Sequence, residues 1–190
     1  MLFRSLALAG FLQAQTDSPS HALPEKAVEQ KQSLSQDAEV KLSEATILSE
    51  KGENEKAIAL LEENIRNNPS YAEAYYHLGI IYANLGQYDK AIDNFNNSVR
   101  IKPDFTSAYI NLGAAYAYLK DYNQALKYLD NALSLDKDNP KIYYNIGLIL
   151  LVNKETKKAS YFLSRAKELS QKNNDVLMIE KIRKLENPVK

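Results

Sequence analysis

The sequence predicts an all-α protein, a right-handed α-solenoid of about four helix–turn–helix repeats that ends in a C-terminal capping helix. The first observation is a pattern that recurs every 34 residues, as at Tyr75, Tyr109 and Tyr143, which is a spacing typical of repeat architectures. Within each copy, apolar residues recur at intervals of three and four, as on amphipathic helices. Glycine and proline are scarce, six of each, which disfavours a turn-rich β fold.

The composition excludes several classes of function. The chain of 190 residues carries 24 basic and 24 acidic side chains and has a formal net charge of zero, so nothing indicates a nucleic-acid partner. It has no cysteine, which excludes disulfides, iron–sulfur clusters and thiolate zinc sites. The length suits one domain with a short tail.

Residues 1–15 resemble a bacterial secretory signal peptide. Arg4 precedes the apolar run 6–12, and no acidic residue occurs before Asp17. The run is too short for a membrane-spanning helix. We therefore expect export to the periplasm or the medium. An ordinary amphipathic helix or an organelle presequence is the alternative reading, and the protein would then be cytoplasmic or organellar.

Residues 16–37 are polar, contain Pro19 and Pro24, and show little periodicity. Such a composition buries too little apolar surface to offset the entropy of ordering. The pattern predicts a flexible spacer, whose last part could enter the first helix.

Three copies of the repeat stand in strict register at 72–105, 106–139 and 140–173, and a weaker copy precedes them at 38–71. Each of the three strict copies has a glycine at one position and an alanine twelve residues later. These pairs are Gly79 and Ala91, Gly113 and Ala125, and Gly147 and Ala159. A glycine inside a helix costs about 1 kcal/mol relative to alanine, so we expect close helix packing there, with the alanines facing the glycines.

The pattern resembles the tetratricopeptide repeat over residues 38–173. In the second copy the matching residues are Tyr75, Leu78, Gly79, Tyr82, Ala91, Phe95 and Pro103. The third and fourth copies keep the pattern but lack the final proline. Because a repeat cannot cover its own apolar faces, such arrays need several stacked copies and polar ends. Residues 174–186, with Met178, Ile182 and Leu185 on one side, are the predicted cap.

No catalytic or metal-binding constellation is evident. The two histidines, His21 and His77, lack the spacing of metal ligands, and no metalloprotease, hydrolase or phosphate-loop motif occurs. The sequence therefore predicts a protein that is not an enzyme and has no metal or cofactor.

The resemblance implies that the first helix of each repeat lines a concave surface that binds a partner. The residues it places there are Tyr76, His77, Ile80, Ile110, Asn111, Ala114, Tyr118, Lys141, Tyr144, Asn145 and Leu148. These positions are apolar or aromatic where a solvated helix face would be charged, which favours a partner site. The alternative reading assigns some of them to the core, or has the spacer or the last helix fold back over the groove.

Two patterns within the family bear on the kind of partner. Of the carboxylate clamp that grips chaperone C-termini, only Asn111 and Lys141 match, so we do not expect that ligand. In the asparagine ladder of the O-linked N-acetylglucosamine transferase superhelix, stacked Asn side chains hold a peptide backbone. Asn111 and Asn145 stand at such equivalent places, with His77 before them.

The predicted function is a protein–protein interaction scaffold or adaptor that binds a peptide or helix on the concave surface. Two alternatives remain open at this point. The chain could be a structural protein that self-associates into a homo-oligomer, or a non-catalytic accessory subunit of an envelope complex.

Overall fold

A computed structural model describes residues 25–186, and within that range the chain is entirely helical apart from turns. The helices form an all-α repeat solenoid, as predicted. They are α1 (Glu25–Glu50), α2 (Asn54–Asn67), α3 (Ala72–Asn84), α4 (Tyr88–Ile101), α5 (Thr106–Tyr118), α6 (Tyr122–Leu135), α7 (Pro140–Val152), α8 (Thr156–Lys172) and α9 (Val176–Glu186).

The helices pair in chain order. Each odd-numbered helix from α1 to α7 packs on the even-numbered helix that follows it, and each pair packs on the next one. The odd-numbered helices of neighbouring pairs also contact one another, α1 with α3, α3 with α5 and α5 with α7. They therefore form a continuous inner layer, which is where the candidate site lies.

The core is shared between repeats. Phe95 of α4, which is 1% exposed, packs with Leu112 and Ala115 of α5. One repeat thus covers the apolar side of the next, which explains why the pattern needs several copies.

The repeated glycines permit close packing, but their neighbours differ from those expected. A Cβ on Gly79 would lie 2.6 Å from the ring of Phe95, and one on Gly113 would lie 2.6 Å from Leu129 Cγ. Gly147 faces Leu163 in the same way. The nearest side chains are those four positions after the expected alanines, and of the alanines only Ala125 comes close, through its carbonyl oxygen at 3.1 Å from a Cβ on Gly113.

The first helix departs from the predicted spacer. Residues 25–37, assigned to a flexible segment, belong to α1, which has 26 residues whereas α3 has 13. The part of α1 from Ala38 onward is anchored by buried residues, and extending a formed helix adds one hydrogen bond for each residue fixed. No glycine or proline interrupts 25–51. The predicted signal peptide, residues 1–15, lies outside the described residues.

At the other end, α9 begins two residues after the start of the predicted cap. Met178 and Ile182 pack on Leu163 and Ala166 of α8. Leu185, the third residue of the predicted stripe, is 36% exposed.

Candidate partner-binding surface

Three depressions follow one another along the inner layer, each between two neighbouring odd-numbered helices. The first, between α1 and α3, has a volume of about 310 Å³. The second, between α3 and α5, measures about 530 Å³. The third, between α5 and α7, measures about 470 Å³. Together they make a segmented groove, which we call the concave face.

The second and third depressions carry no charged side chain. The second is lined by Ile80, Ala83, Asn84, Tyr88, Phe95, Asn111, Ala114, Ala115 and Tyr118. The third is lined by Gly113, Ala114, Ala117, Tyr118, Tyr122, Tyr144, Asn145, Leu148, Ile149 and Val152. Aromatic and aliphatic surface with a few amide groups is suited to apolar side chains and to a peptide backbone, and offers nothing to neutralise a buried charge.

Tyr118 stands between these two depressions and lines both. Its side chain is 69% exposed, and its ring stacks on Tyr88 with centroids 4.7 Å apart and an angle of 7° between the planes. The stacking partner comes from the start of α4, so the ring is held although it is exposed. An exposed aromatic side chain that is already ordered loses little entropy when it binds a partner.

The first depression differs because it carries charge. Glu39 and Glu50 line it together with Thr46 and His77. Thr46 Oγ1 lies 3.5 Å from His77 Nδ1. Burial lowers the pKa of His77, and the negative charge of Glu73 opposes that shift. The concave face is therefore acidic at the first repeat and uncharged in its middle and last parts.

Most of the predicted site residues line these depressions. His77 lies in the first, Ile80 and Asn111 in the second, and Tyr144, Asn145 and Leu148 in the third, while Ala114 and Tyr118 line two of them. The two asparagines of the proposed ladder thus face neighbouring depressions of one groove.

Three predicted residues are placed elsewhere. Ile110 is 7% exposed and packs in the core with Ala125 and Ile142, so the prediction that it contacts a partner is wrong. Ile110 directly precedes Asn111, but its own side chain points to the side of α5 that α7 covers. Lys141 is exposed at the start of α7 but lines none of the three depressions.

Tyr76 is the third of these residues. It is half-buried, with its ring 5.9 Å from that of Phe95 and 4.7 Å from that of Phe105. Its hydroxyl accepts a hydrogen bond from Asn111 Nδ2 at 3.3 Å. Burial raises the pKa of Tyr76, against hydrogen bonds with Ser107 and Asn111. Tyr76 therefore supports the site by positioning Asn111, and does not line a depression itself.

The sequence reading missed residues that come from outside the first helices. Tyr88 and Tyr122 are the first residues of α4 and α6, and each lines one depression. They are 34 residues apart, so an aromatic side chain recurs there just after the turn. That repetition was the available signal. Val152, which is 59% exposed at the end of α7, was also missed.

Two further properties concern residues 25–186 alone. No cluster of three or more histidine or acidic side chains in this part of the chain could hold a metal ion. None of its helices combines the length and the apolar character that crossing a membrane requires.

Comparisons with known proteins agree with this architecture. The family model described as tetratricopeptide repeat matches residues 72–105 and 106–139, and a second model, described as TPR repeat, matches residues 46–86. No curated protein matches the chain significantly.

Solved structures share the fold. A crystal structure of MamA is 22% identical, with a TM-score of 0.66, over 73% of this chain and 81% of that one. MamA from Desulfovibrio magneticus RS-1, residue 41 to the end, is also 22% identical, with a TM-score of 0.62, over 79% of this chain and 95% of that one. The thermophilic TPR protein TTC0263 of Thermus thermophilus is 26% identical, with a TM-score of 0.63, over 70% of this chain and 75% of that one.

The repeat period, the paired helices and the family models agree on one assignment. The chain belongs to the tetratricopeptide repeat family.

Proposed function

We propose that the protein is a non-enzymatic scaffold or adaptor that binds a peptide or a helix of a protein partner on the concave face. The observation that carries the proposal is the ordered but exposed Tyr118 between two uncharged depressions. Tyrosine is well suited to such a place because it combines a large contact area with few rotamers and a hydroxyl group.

The charges of the concave face define the chemistry of the partner segment. Apolar side chains fit the second and third depressions, where a buried charge would find no counter-ion. At the first repeat, Glu39 and Glu50 favour a basic group. We therefore expect an apolar segment with a lysine or arginine at the end that reaches α1. Asn111 and Asn145 can hydrogen-bond its backbone.

The test uses a matched pair of substitutions on the full chain. Tyr118→Ser removes the aromatic anchor, and Tyr161→Ser removes a tyrosine of α8 that is 67% exposed against 69% for Tyr118. Each immobilised variant is offered the same peptide display library, and enriched peptides are measured by calorimetry. We expect the loss of Tyr118 to weaken binding by more than about 1 kcal/mol, and the loss of Tyr161 to change it little.

Equal loss in both variants, or no loss in either, would mean that the partner binds outside the concave face. Circular dichroism of both variants guards against a trivial explanation, because neither side chain is buried and the helical signal should stay unchanged.

Export remains a prediction from residues 1–15 alone.

A further inference from the structure

The first repeat leaves open the positions through which the later repeats pack on their predecessors. In each later repeat, three positions of the first helix are buried against the preceding pair. They are Ala74, Leu78 and Ile81 in α3 (0%, 4% and 3% exposed), Ala108, Leu112 and Ala115 in α5 (0%, 0% and 2%), and Ile142, Ile146 and Ile149 in α7 (0%, 4% and 3%).

The equivalent positions of α1, 34 residues before those of α3, are Val40, Glu44 and Ile47. Val40 is 61% exposed, Ile47 is 48% exposed, and Glu44 is exposed between them. Two apolar side chains thus stand on a face that elsewhere in the solenoid is always covered. In repeat arrays such an end face requires a cap or a partner.

The two ends of the same stripe are complementary in charge. With Asp37 at one end and Lys51 at the other, its residues follow one another at intervals of three and four, which places them on one side of the helix. Lys51 is the first residue after α1, and its backbone N–H still donates to the carbonyl oxygen of Ile47 at 3.1 Å. When two such helices pack antiparallel, Asp37 of one meets Lys51 of the other. Asp37 also lies 3.0 Å from Lys41, but Lys41 keeps a second carboxylate, Glu63, at 2.9 Å.

We propose that this stripe, the α1 face, is a homodimer interface: two copies pack α1 against α1 in antiparallel orientation across a two-fold axis near Glu44. Val40 of each copy then contacts Ile47 of the other, and each Asp37 pairs with a Lys51. An interface of this kind is isologous and closes at two copies. The second and third depressions lie outside this interface, whereas Ile47 also lines the first depression, so the dimer reaches the end of the concave face that we assign to the partner's basic group.

Head-to-tail stacking of copies is the other arrangement that would cover the α1 face. At the opposite end of the solenoid, α9 exposes Glu180, Lys181, Arg183 and Lys184. Those basic residues suit Asp37 and Glu44, and Glu180 suits Lys51. The two-fold arrangement pairs Asp37 with Lys51 at both ends of the stripe but brings the two Glu44 carboxylates near each other. The exposed Val176 and Leu177 in the first turn of α9 make head-to-tail stacking the alternative that the test must separate.

The first experiment measures the mass of the full chain by sedimentation equilibrium over a wide concentration range. The variant is Val40→Glu, and its control is Val176→Glu, because the two valines are 61% and 62% exposed at opposite ends. We expect a monomer–dimer equilibrium whose dissociation constant rises roughly tenfold or more with Val40→Glu, since the new carboxylate approaches Glu44 of the other copy. Val176→Glu should leave it unchanged.

A third variant tests the same face by gain of affinity. Glu44→Leu installs the residue found at Leu78 and Leu112 and removes the two carboxylates from the two-fold axis, so the dimer should tighten. A wild-type chain that stays monomeric throughout would overturn the proposal, as would a dimer that is insensitive to Val40→Glu. Equal weakening by Val176→Glu would establish head-to-tail stacking instead.

Cross-linking then tests the orientation, which is straightforward because the chain has no cysteine. Glu44→Cys should give a disulfide-linked homodimer on mild oxidation. In an equimolar mixture with Glu180→Cys, the product should remain the 44–44 species. A predominant 44–180 product would contradict the two-fold arrangement. Circular dichroism checks that each variant keeps its helices.

Discussion

Placing a methyl group at Gly113 sets two opposing effects against each other, and the structure indicates which one dominates. Replacing a mid-helix glycine by alanine favours the helix by about 1 kcal/mol. In this protein the new Cβ would lie 2.6 Å from Leu129 Cγ and 3.1 Å from the carbonyl oxygen of Ala125. Leu129 is 0% exposed, so it cannot turn away into solvent. Overpacking of this kind costs about 1–3 kcal/mol.

The expected result for Gly113→Ala is therefore a net loss of about 1 kcal/mol in the free energy of unfolding, the overpacking cost less the gain in helix propensity. Urea unfolding followed by circular dichroism measures it. Ala45→Gly is the control, because the first repeat carries an alanine at this position, 1% exposed. It should also destabilise, by about 1 kcal/mol. A Gly113→Ala protein more stable than wild type would refute the packing argument.

Two more predictions follow from the turns and from His77. Gly86 has φ +72 and a Cβ there would meet nothing within 4 Å, so Gly86→Ala should lose about 1–2 kcal/mol through backbone conformation alone. Lys120→Gly, at the equivalent position with φ 64, should not destabilise; urea unfolding distinguishes the two. Burial lowers the pKa of His77 from 6.5, so the unfolded chain binds the proton more readily and stability should fall as the pH drops below about 6.5. His77→Gln should reduce the difference in the free energy of unfolding between about pH 7.5 and about pH 5.5. An unchanged difference would contradict the assignment of this pH dependence to His77.

The fold was predictable because its main contacts repeat with the sequence. The glycines at 79 and 113 and the residues opposite them recur at one spacing, and each is buried for the same reason in each copy. The length of α1 was not predictable in this way. Its polar first half carries no apolar period, and it is helical because it continues a helix that is anchored further along the chain.

The candidate site was predicted only in part, since neighbouring positions on the inner helices have different surroundings. Ile110 and Asn111 are adjacent in sequence, yet the first is buried under α7 and the second lines a depression. The resemblance to the family identifies the inner helix but does not decide which of its sides the next helix covers. Tyr88 was missed for another reason, since it belongs to a second helix and reaches the concave face only because the turn brings it beside Tyr118.

The proposed function depends on the positions at which the repetition breaks down. At the last residue of the inner helices, Glu50, Asn84, Tyr118 and Val152 replace one another from repeat to repeat, and none of the four is buried. At the position of Ala91 every copy has alanine, and all four are 0% exposed. Substitutions at the constant positions therefore change stability. Substitutions at the variable positions change the charge and shape offered to a partner while the fold persists, so binding and stability can be altered separately along one solenoid.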